Sequence, residues 1–147
     1  MMISKSAVVK LVEDNEELQR TYKIREVVFV EEQKVSREEE FDEFESVCKH
    51  FLATIDGESA GAARWRETEK GVKLERFAVL KEFRGLGVGS ALVAAVMDDI
   101  SKTIDNPKGK CYLHAQLEAM PLYAKFGFKP QGDQFLECDI VHQTMLY

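Results

Sequence analysis

The densest group of chemically useful residues is the run Arg84-Gly85-Leu86-Gly87-Val88-Gly89-Ser90. It follows a strand-like segment and opens a helix-like one. Glycines at such a junction let the backbone take positive φ and come close to a ligand. The start of a helix carries unsatisfied N–H groups and about half a unit of positive charge. Together these features can hold a pyrophosphate, and Arg84 can add a charge-assisted contact. The run is not a Walker loop, because it ends Val-Gly-Ser without the lysine. It is not a dinucleotide fingerprint either, because its spacing is G-x-G-x-G rather than G-x-G-x-x-G. The alternative is an ordinary tight strand-to-helix turn.

Other reactive types are scattered. His50, His114 and His142 lie far apart, so no metal site is expected. His114, at the end of a strand-like segment, can relay a proton near neutrality or sit as a hydrogen-bonded core histidine. His50 and His142 read as structural. Cys48, Cys111 and Cys138 are odd in number and have no zinc spacing. With no activating partner in view they read as inert thiols in a reduced, cytoplasmic setting. The acidic run Glu38-Glu39-Glu40 with Asp42, Glu43 and Glu45 reads first as a solvated, mobile face. Its other reading is a lure for a cationic amine. Arg64 and Arg66, on one face of a strand, would instead suit an acidic acceptor.

The elements that must position these residues fit one domain spanning 1–147. Hydrophobic residues make up 45% and charged residues 31%, a globular profile that needs no metal or disulfide staple. The net charge of −6 disfavours nucleic acid and anionic membranes and leaves small molecules or cationic groups as partners. Residues 1–10 lack the apolar core of a leader, and the longest apolar stretch, 91–97, is far below a membrane span. A strand is expected over 7–12 and a helix over 16–32, capped by Asp14 with Glu17. Residues 36–45 read as a loop or short irregular helix. Asp56-Gly57 joins strands 47–55 and 59–66 as a hairpin. The next strand, 72–80, alternates so that Leu74, Arg76 and Ala78 share one face and Glu75, Phe77 and Val79 the other. A helix over 90–102, a strand over 110–115 and a helix over 117–126 follow, with Gly127 as an αL cap. One or two strands close the chain over 135–147. This is a mixed α/β order.

Two spaced blocks carry a family resemblance. Arg84-x-x-Gly87-x-Gly89 matches the R/Q-x-x-G-x-G/A signature of the GCN5-related N-acetyltransferases (GNAT). Gln116-x-x-Ala119-x-x-Leu122-Tyr123-x-x-x-Gly127-Phe128 is similar to that family's N-x-x-A-x-x-L/F-Y-x-x-x-G-F segment. The stretches REVVFVEEQ and HFLATIDGESAGAARWR further resemble the ElaA-type branch.

The resemblance implies a GNAT fold: a twisted, mostly antiparallel mixed sheet flanked by helices. It implies acetyl-CoA as cosubstrate and acetyl transfer to a primary amine, on a small molecule or a peptide, by direct attack. Backbone amides of Arg84, Gly85, Leu86, Gly87, Val88, Gly89 and Ser90 would bind the CoA pyrophosphate. Main-chain groups of Phe77 and Val79 would pair with pantetheine like an added strand, and Gln116, standing where the family has Asn, would reach it too. The Val79 amide would stabilise the oxyanion, and Tyr123 would protonate the leaving thiolate. Glu75, placed with Val79 on one strand face, is the first candidate base, with His114 as a relay. Glu137, Cys138 and His142 are weaker candidates for the acceptor end. A non-catalytic CoA-binding or sensing module, an enzyme using another acyl-CoA or acting on protein N-termini, and a purely structural domain are the rival readings. A homodimer is compatible with the fold class, and no residue establishes it.

Overall fold

The structure, a computed structural model, describes residues 6–147; residues 1–5, part of the segment read above for a leader, lie outside it. The β-branched and alternating segments form β1 (Val8–Leu11), β2 (Lys49–Ile55), β3 (Glu58–Thr68), β4 (Gly71–Val79), β5 (Cys111–Gln116), β6 (Lys129–Glu137) and β7 (Ile140–Leu146). They join one seven-stranded sheet in the order β1-β2-β3-β4-β5-β7-β6. Only the β4–β5 pair is parallel. The expected hairpin forms at Asp56 (φ 51) and Gly57 (φ 80), the positive-φ pair that a two-residue turn requires.

The helices are α1 (Asn15–Arg25), α2 (Arg37–Glu40), α3 (Val88–Thr103) and α4 (Met120–Ala124). Asp14 caps α1 by accepting the Glu17 N–H at 2.8 Å. The helix expected over 16–32 changes character partway. Glu26–Glu32 winds as a π-helix, and Gln33 N–H closes back on the Val28 carbonyl five residues earlier. Such wide turns are rare and often border functional sites. Residues 117–126 are one 3₁₀ turn, Leu117–Ala119, followed by α4, and Gly127 takes φ 95 as expected of an αL cap. Among the described residues no helix is long and apolar enough to cross a membrane.

Two cores sandwich the sheet. On one face Leu92, Val93, Val96 and Ile100 of α3 bury against Phe51, Trp65, Leu74 and Leu113. On the other, Ile24, Val28 and Phe29 bury against Leu52, Ala62 and Ala78.

The strand over 72–80 departs from plain alternation. Ala62 faces Ala78 and Arg64 faces Glu75, so β4 spends three residues where β3 spends two. Arg76 absorbs the extra residue with φ 60. A bulge of this kind inverts side-chain parity beyond it. Leu74, Phe77 and Val79 therefore pack on the α3 side, while Ala78 packs on the α1 side. Glu75, bonded to Arg64 and Arg66, is on the face opposite Val79, which overturns their expected shared face. The same irregularity ends the pairing with β5, which covers only Val72–Cys111, Lys73–Tyr112 and Leu74–Leu113.

Gly61 fixes how closely α3 approaches this region. A Cβ there would lie 2.9 Å from the Ala78 carbonyl oxygen and 2.9 Å from Val88 Cγ1. Gly61→Ala is expected to cost about 1–3 kcal/mol, the range for overpacking a filled core. The measurement is urea unfolding. An unchanged midpoint would show that α3 shifts freely on the sheet.

Candidate active site

Where β4 and β5 part, a cleft of about 390 Å³ opens between them. The π-helix contributes Glu32 and Gln33 to its wall, β5 contributes His114 and Gln116, α4 contributes Tyr123, and the β6–β7 hairpin contributes Glu137 and His142.

The backbone edge of β4 faces this opening. Leu80 N–H bonds to the Ala60 carbonyl, which makes residues 60 and 80 a hydrogen-bonded pair. Residues 61 and 79 are then the next, non-bonded pair, and Val79 turns its N–H and C=O away from β3 toward the cleft. By the same alternation Phe77 does too.

Directly after β4 the chain makes a 3₁₀ turn, Lys81–Phe83, and the glycine turn. Gly85 (φ 78) and Gly87 (φ 83) are left-handed, and a Cβ on either would meet nothing within 4 Å. Their open side is free for a ligand. Gly87 caps α3 without any side-chain acceptor, and no acidic residue lies in the first turn. The first N–H groups of α3 are thus available to an anion. Val88 buries its side chain in the core and Leu86 is exposed, so both offer the site only backbone. Ser90 Oγ lies 3.4 Å from Lys125 Nζ.

Arg84 is placed differently from expectation. Its guanidinium folds back to form two hydrogen bonds with Glu32, at 2.7 and 2.8 Å, and Nε donates to the Val79 carbonyl at 3.0 Å. A carboxylate that accepts both prongs outcompetes an open turn. Gln116 also has a partner, since its amide donates to Gln33 Oε1 at 2.8 Å. Both contacts tie the π-helix to the cleft walls. Glu32 and Gln33 were not singled out by sequence, because a wide helical turn leaves no spacing signal.

Tyr123 is buried against Phe77 and Phe128, with ring centroids 5.6 and 6.4 Å away. Its hydroxyl has no protein partner among the described residues, yet no buried side-chain oxygen is left without one. The hydroxyl therefore keeps contact with the cleft that Tyr123 lines. Burial pushes the phenol well above its ordinary range, so it stays protonated.

The acidic run is only in part the solvated face expected of it: Glu38, Glu39 and Glu43 are exposed, whereas Glu40, Asp42 and Glu45 turn inward. Glu40 is 3% exposed. Arg25 bonds Glu40 at 2.8 Å and Glu45 at 2.7 Å. Arg64, 0% exposed, bonds Asp42 and Glu45 at 2.8 Å and Glu75 at 3.0 Å. Arg66 and Lys73 also hold Glu75, and Arg76 reaches Glu40 and Asp42. Arg64 and Arg66 do share a face; the Arg64 guanidinium is spent on Asp42, Glu45 and Glu75, and Arg66 donates its Nε to Glu75 at 2.8 Å. Two buried arginines need these carboxylates, which is why the run folds inward. Phe44 lies under Arg66 at 3.8 Å and Phe41 under Arg25 at 4.9 Å.

This network decides the character of Glu75. Burial would raise its carboxyl, but Arg64, Lys73 and Arg66 outweigh burial and hold it at about 2. Glu75 lines the cleft, but such a carboxylate is a poor proton acceptor at neutral pH, which weighs against it as the base. Asp42 and Glu45 are likewise held low by Arg64 and Arg25 against the pull of burial, whereas burial wins at Glu40 and raises it. His114 lines the cleft with Glu75, its Nδ1 3.0 Å from Glu137 Oε1. Among the described residues no group of His, Cys, Asp and Glu suits a metal ion.

Comparisons with known proteins agree with this geometry. Residues 14–147 match the family model described as an acetyltransferase (GNAT) domain. The chain is 37% identical over 138 residues to YjcF of Bacillus subtilis, described as an uncharacterized N-acetyltransferase, covering 92% of this chain and 96% of that protein. It superposes on an acyl-CoA N-acyltransferase from Pseudomonas aeruginosa with a TM-score of 0.80 at 26% identity, covering 97% and 98% of the two chains. It shares the fold of Escherichia coli ElaA, with a TM-score of 0.81 at 21% identity, over 97% and 99% of the two chains.

The low Glu75 carboxyl makes a prediction about acid stability. A group whose folded value lies below its unfolded 4.5 stabilises the fold above that pH. The contribution is lost as pH falls from 4.5 toward about 2. Urea midpoints across that window should drop steeply for the wild type and less steeply for Glu75→Gln, which starts lower at neutral pH. Parallel curves for the two proteins would contradict the charge balance described.

Proposed function

The chain belongs to the GNAT acetyltransferase family, and from that premise we propose that it transfers an acetyl group from acetyl-CoA to a primary amine by direct attack, as one acetyltransferase domain. The carrying observation is the juxtaposition of two backbone features. The outward-facing edge of Phe77 and Val79 runs straight into the uncapped start of α3 at Gly87. One chain segment thus offers strand-like partners for an amide-bearing arm and N–H groups for a diphosphate, which is the shape of CoA. The acyl-CoA chemistry of the Pseudomonas aeruginosa neighbour supports the same cosubstrate. The acceptor is a small-molecule or peptide amine.

The cosubstrate supplies the acetyl thioester; the chain supplies binding, charge stabilisation and proton transfer. A lysine-like ammonium must first lose a proton, at a cost of roughly 4–5 kcal/mol near pH 7. We assign that proton to His114, whose Nδ1 is engaged by Glu137 and whose other ring nitrogen has no protein partner among the described residues. The Val79 N–H, aimed at the cleft, takes the developing oxyanion, a role worth about 3–4 kcal/mol. Arg84 on the Val79 carbonyl steadies that peptide group and leaves the pyrophosphate to the amides of the turn. Tyr123 donates its hydroxyl proton to the leaving sulfur. The proton still on the attacking nitrogen restores the phenol, and the one on His114 passes to solvent.

Two variants test this reading. Gly87→Glu has open space around its Cβ but strains the left-handed backbone at φ 83, so unliganded melting curves verify its fold while a carboxylate meets the phosphates. The rise in melting temperature that acetyl-CoA gives the wild type should disappear; an unchanged rise would sink the phosphate cradle. Tyr123→Phe removes a hydroxyl without a protein partner and should leave that rise intact. Its kcat should fall about 10²- to 10⁴-fold, the range for a lost general acid. Equal turnover would remove Tyr123 as the acid.

A further inference from the structure

At the acceptor end of the cleft, three rings and one carboxylate from three strands meet. His114 is on β5, Phe135 and Glu137 are on β6, and His142 is on β7. Cys138 (φ 52) and Asp139 (φ 60) form the tight two-residue turn joining β6 to β7, so Glu137 is the last residue before the reversal. That position lets its carboxylate reach His114, with Oε1 at 3.0 Å from Nδ1. Its second oxygen lies 3.7 Å from His142 Nε2. Phe135 sits between the imidazoles, edge-on to His114 at 5.0 Å and stacked on His142 at 6.0 Å.

The two histidines are held in different ways. His142 is buried, and its Nδ1 bonds the Ile140 carbonyl at 2.7 Å, so that nitrogen carries the proton. His114 is about a quarter exposed, with a side-chain accessibility of 26%, and faces a carboxylate instead of a carbonyl. A carboxylate accepts only, so the proton of a neutral His114 must sit on Nδ1. The lone pair is then on Nε2, in the wall of the cleft. The hydrogen bond from His114 also keeps the Glu137 carboxyl below its ordinary range, so it remains a full anion at neutral pH.

We propose that Glu137 is a positioning residue for acetyl transfer: its carboxylate fixes the Nδ1–H tautomer of His114 and so presents the His114 Nε2 lone pair to the acceptor amine. This rests on the transferase reading above and goes beyond it. The proton leaves the ammonium nitrogen, forms the Nε2–H bond, and converts His114 to an imidazolium. Glu137 then faces a full positive charge across 3.0 Å, which stabilises the product of the step. The other groups around His114 are fixed. Tyr112 lies beside it on β5 with ring centroids 6.0 Å apart, Lys73 and Glu75 pair with each other on β4, and His142 stands beyond Glu137 on β7. Among these neighbours only Glu137 hydrogen-bonds to the His114 ring.

The test compares wild type, Glu137→Ala, Glu137→Gln and His114→Gln. Glu137 is 40% exposed, so its variants should fold; unliganded melting curves verify this. Long-range proton–nitrogen NMR of the imidazoles reads tautomers without any activity. The chain has only three histidines, and the His114→Gln spectrum assigns the signal. Wild-type His114 should show a protonated Nδ1 and a bare Nε2. Glu137→Ala should lose that preference, Glu137→Gln should retain part of it through its amide oxygen, and His142 should not change. In turnover with an acceptor amine, His114→Gln should lose about 10²- to 10⁴-fold. Glu137→Ala should lose a smaller share, because its His114 no longer holds one tautomer. The KM for acetyl-CoA should hold. A protonated Nε2 in wild-type His114, or an Nδ1–H tautomer and turnover unchanged in Glu137→Ala, would overturn the positioning role. A wild type whose melting temperature ignores acetyl-CoA would overturn the transferase reading instead, while the NMR comparison still judges the Glu137–His114 pair.

Discussion

One extra backbone residue, Arg76 in β4, governs the cleft. A left-handed conformation at a residue with a Cβ costs roughly 1–2 kcal/mol, so the surroundings must hold it. They do so through the side chain of the same residue. The Arg76 guanidinium bonds the Glu40 carbonyl and the Asp42 carboxylate, both at 3.2 Å. With the bulge in place β4 can no longer track β5, and three paired residues are all the two strands share. The unpaired edge beyond is a row of N–H and C=O groups with no strand beside it. In an ordinary sheet such an edge invites aggregation. Here it is flanked by the π-helix, β5 and α4, which line the same cleft.

The acid-rich segment and the bulge belong to one electrostatic unit. Arg25 and Arg64 are essentially inaccessible, and removing one partner from a buried pair typically costs about 3–5 kcal/mol. Glu40, Asp42 and Glu45 satisfy them from a segment with little regular structure of its own. The segment is therefore ordered by charge rather than by an apolar face. Its ordering brings Glu39 to the rim, where its carboxylate accepts from the Cys138 thiol at 3.3 Å. The α2 segment and the β6–β7 hairpin thus touch over the acceptor end, and the turn that places Glu137 is braced from the other side of the cleft.

Features written in neighbouring residues were legible in the sequence. Asp56-Gly57 dictated its hairpin, Gly85 and Gly87 their left-handed turn, and the two spaced motif blocks the family. What depended on distant partners was not. Strict alternation put Glu75 beside Val79, because nothing within 72–80 announces that β3 is one residue shorter in step. Glu40, Asp42 and Glu45 looked solvated like their exposed neighbours, because their counter-ions lie far away in sequence at Arg25, Arg64 and Arg76. Arg84 read as a phosphate ligand, because Glu32, 52 residues earlier, was hidden in what looked like a uniform helix. Glu137 drew only weak notice for the same reason: its partner His114 is 23 residues away, and the turn Cys138-Asp139 lacks the glycine that flags a tight hairpin.

The same packing bears on whether a cysteine-bound intermediate could compete with the proposed direct attack. A thiol must be a thiolate to take the acyl group. Burial pushes Cys111 to about 11 with nothing cationic to offset it. Cys48, pushed by burial to about 11 despite Arg64, does not line the cleft. Cys138 does line it, but burial and its bond to Glu39 raise it to about 11 as well, because the carboxylate holds the proton on sulfur. A thiol at that value is a thiolate about one part in ten thousand near pH 7, by roughly one tenfold step per unit. The same cleft wall carries an imidazole whose Nδ1 is engaged by Glu137 and a phenol kept protonated by burial. A proton acceptor and a proton donor are what an amine attacking a thioester requires, and neither is what an acyl-thiol relay would need first. These thiols thus weigh against an acyl-enzyme and support the single transfer from sulfur to nitrogen proposed above.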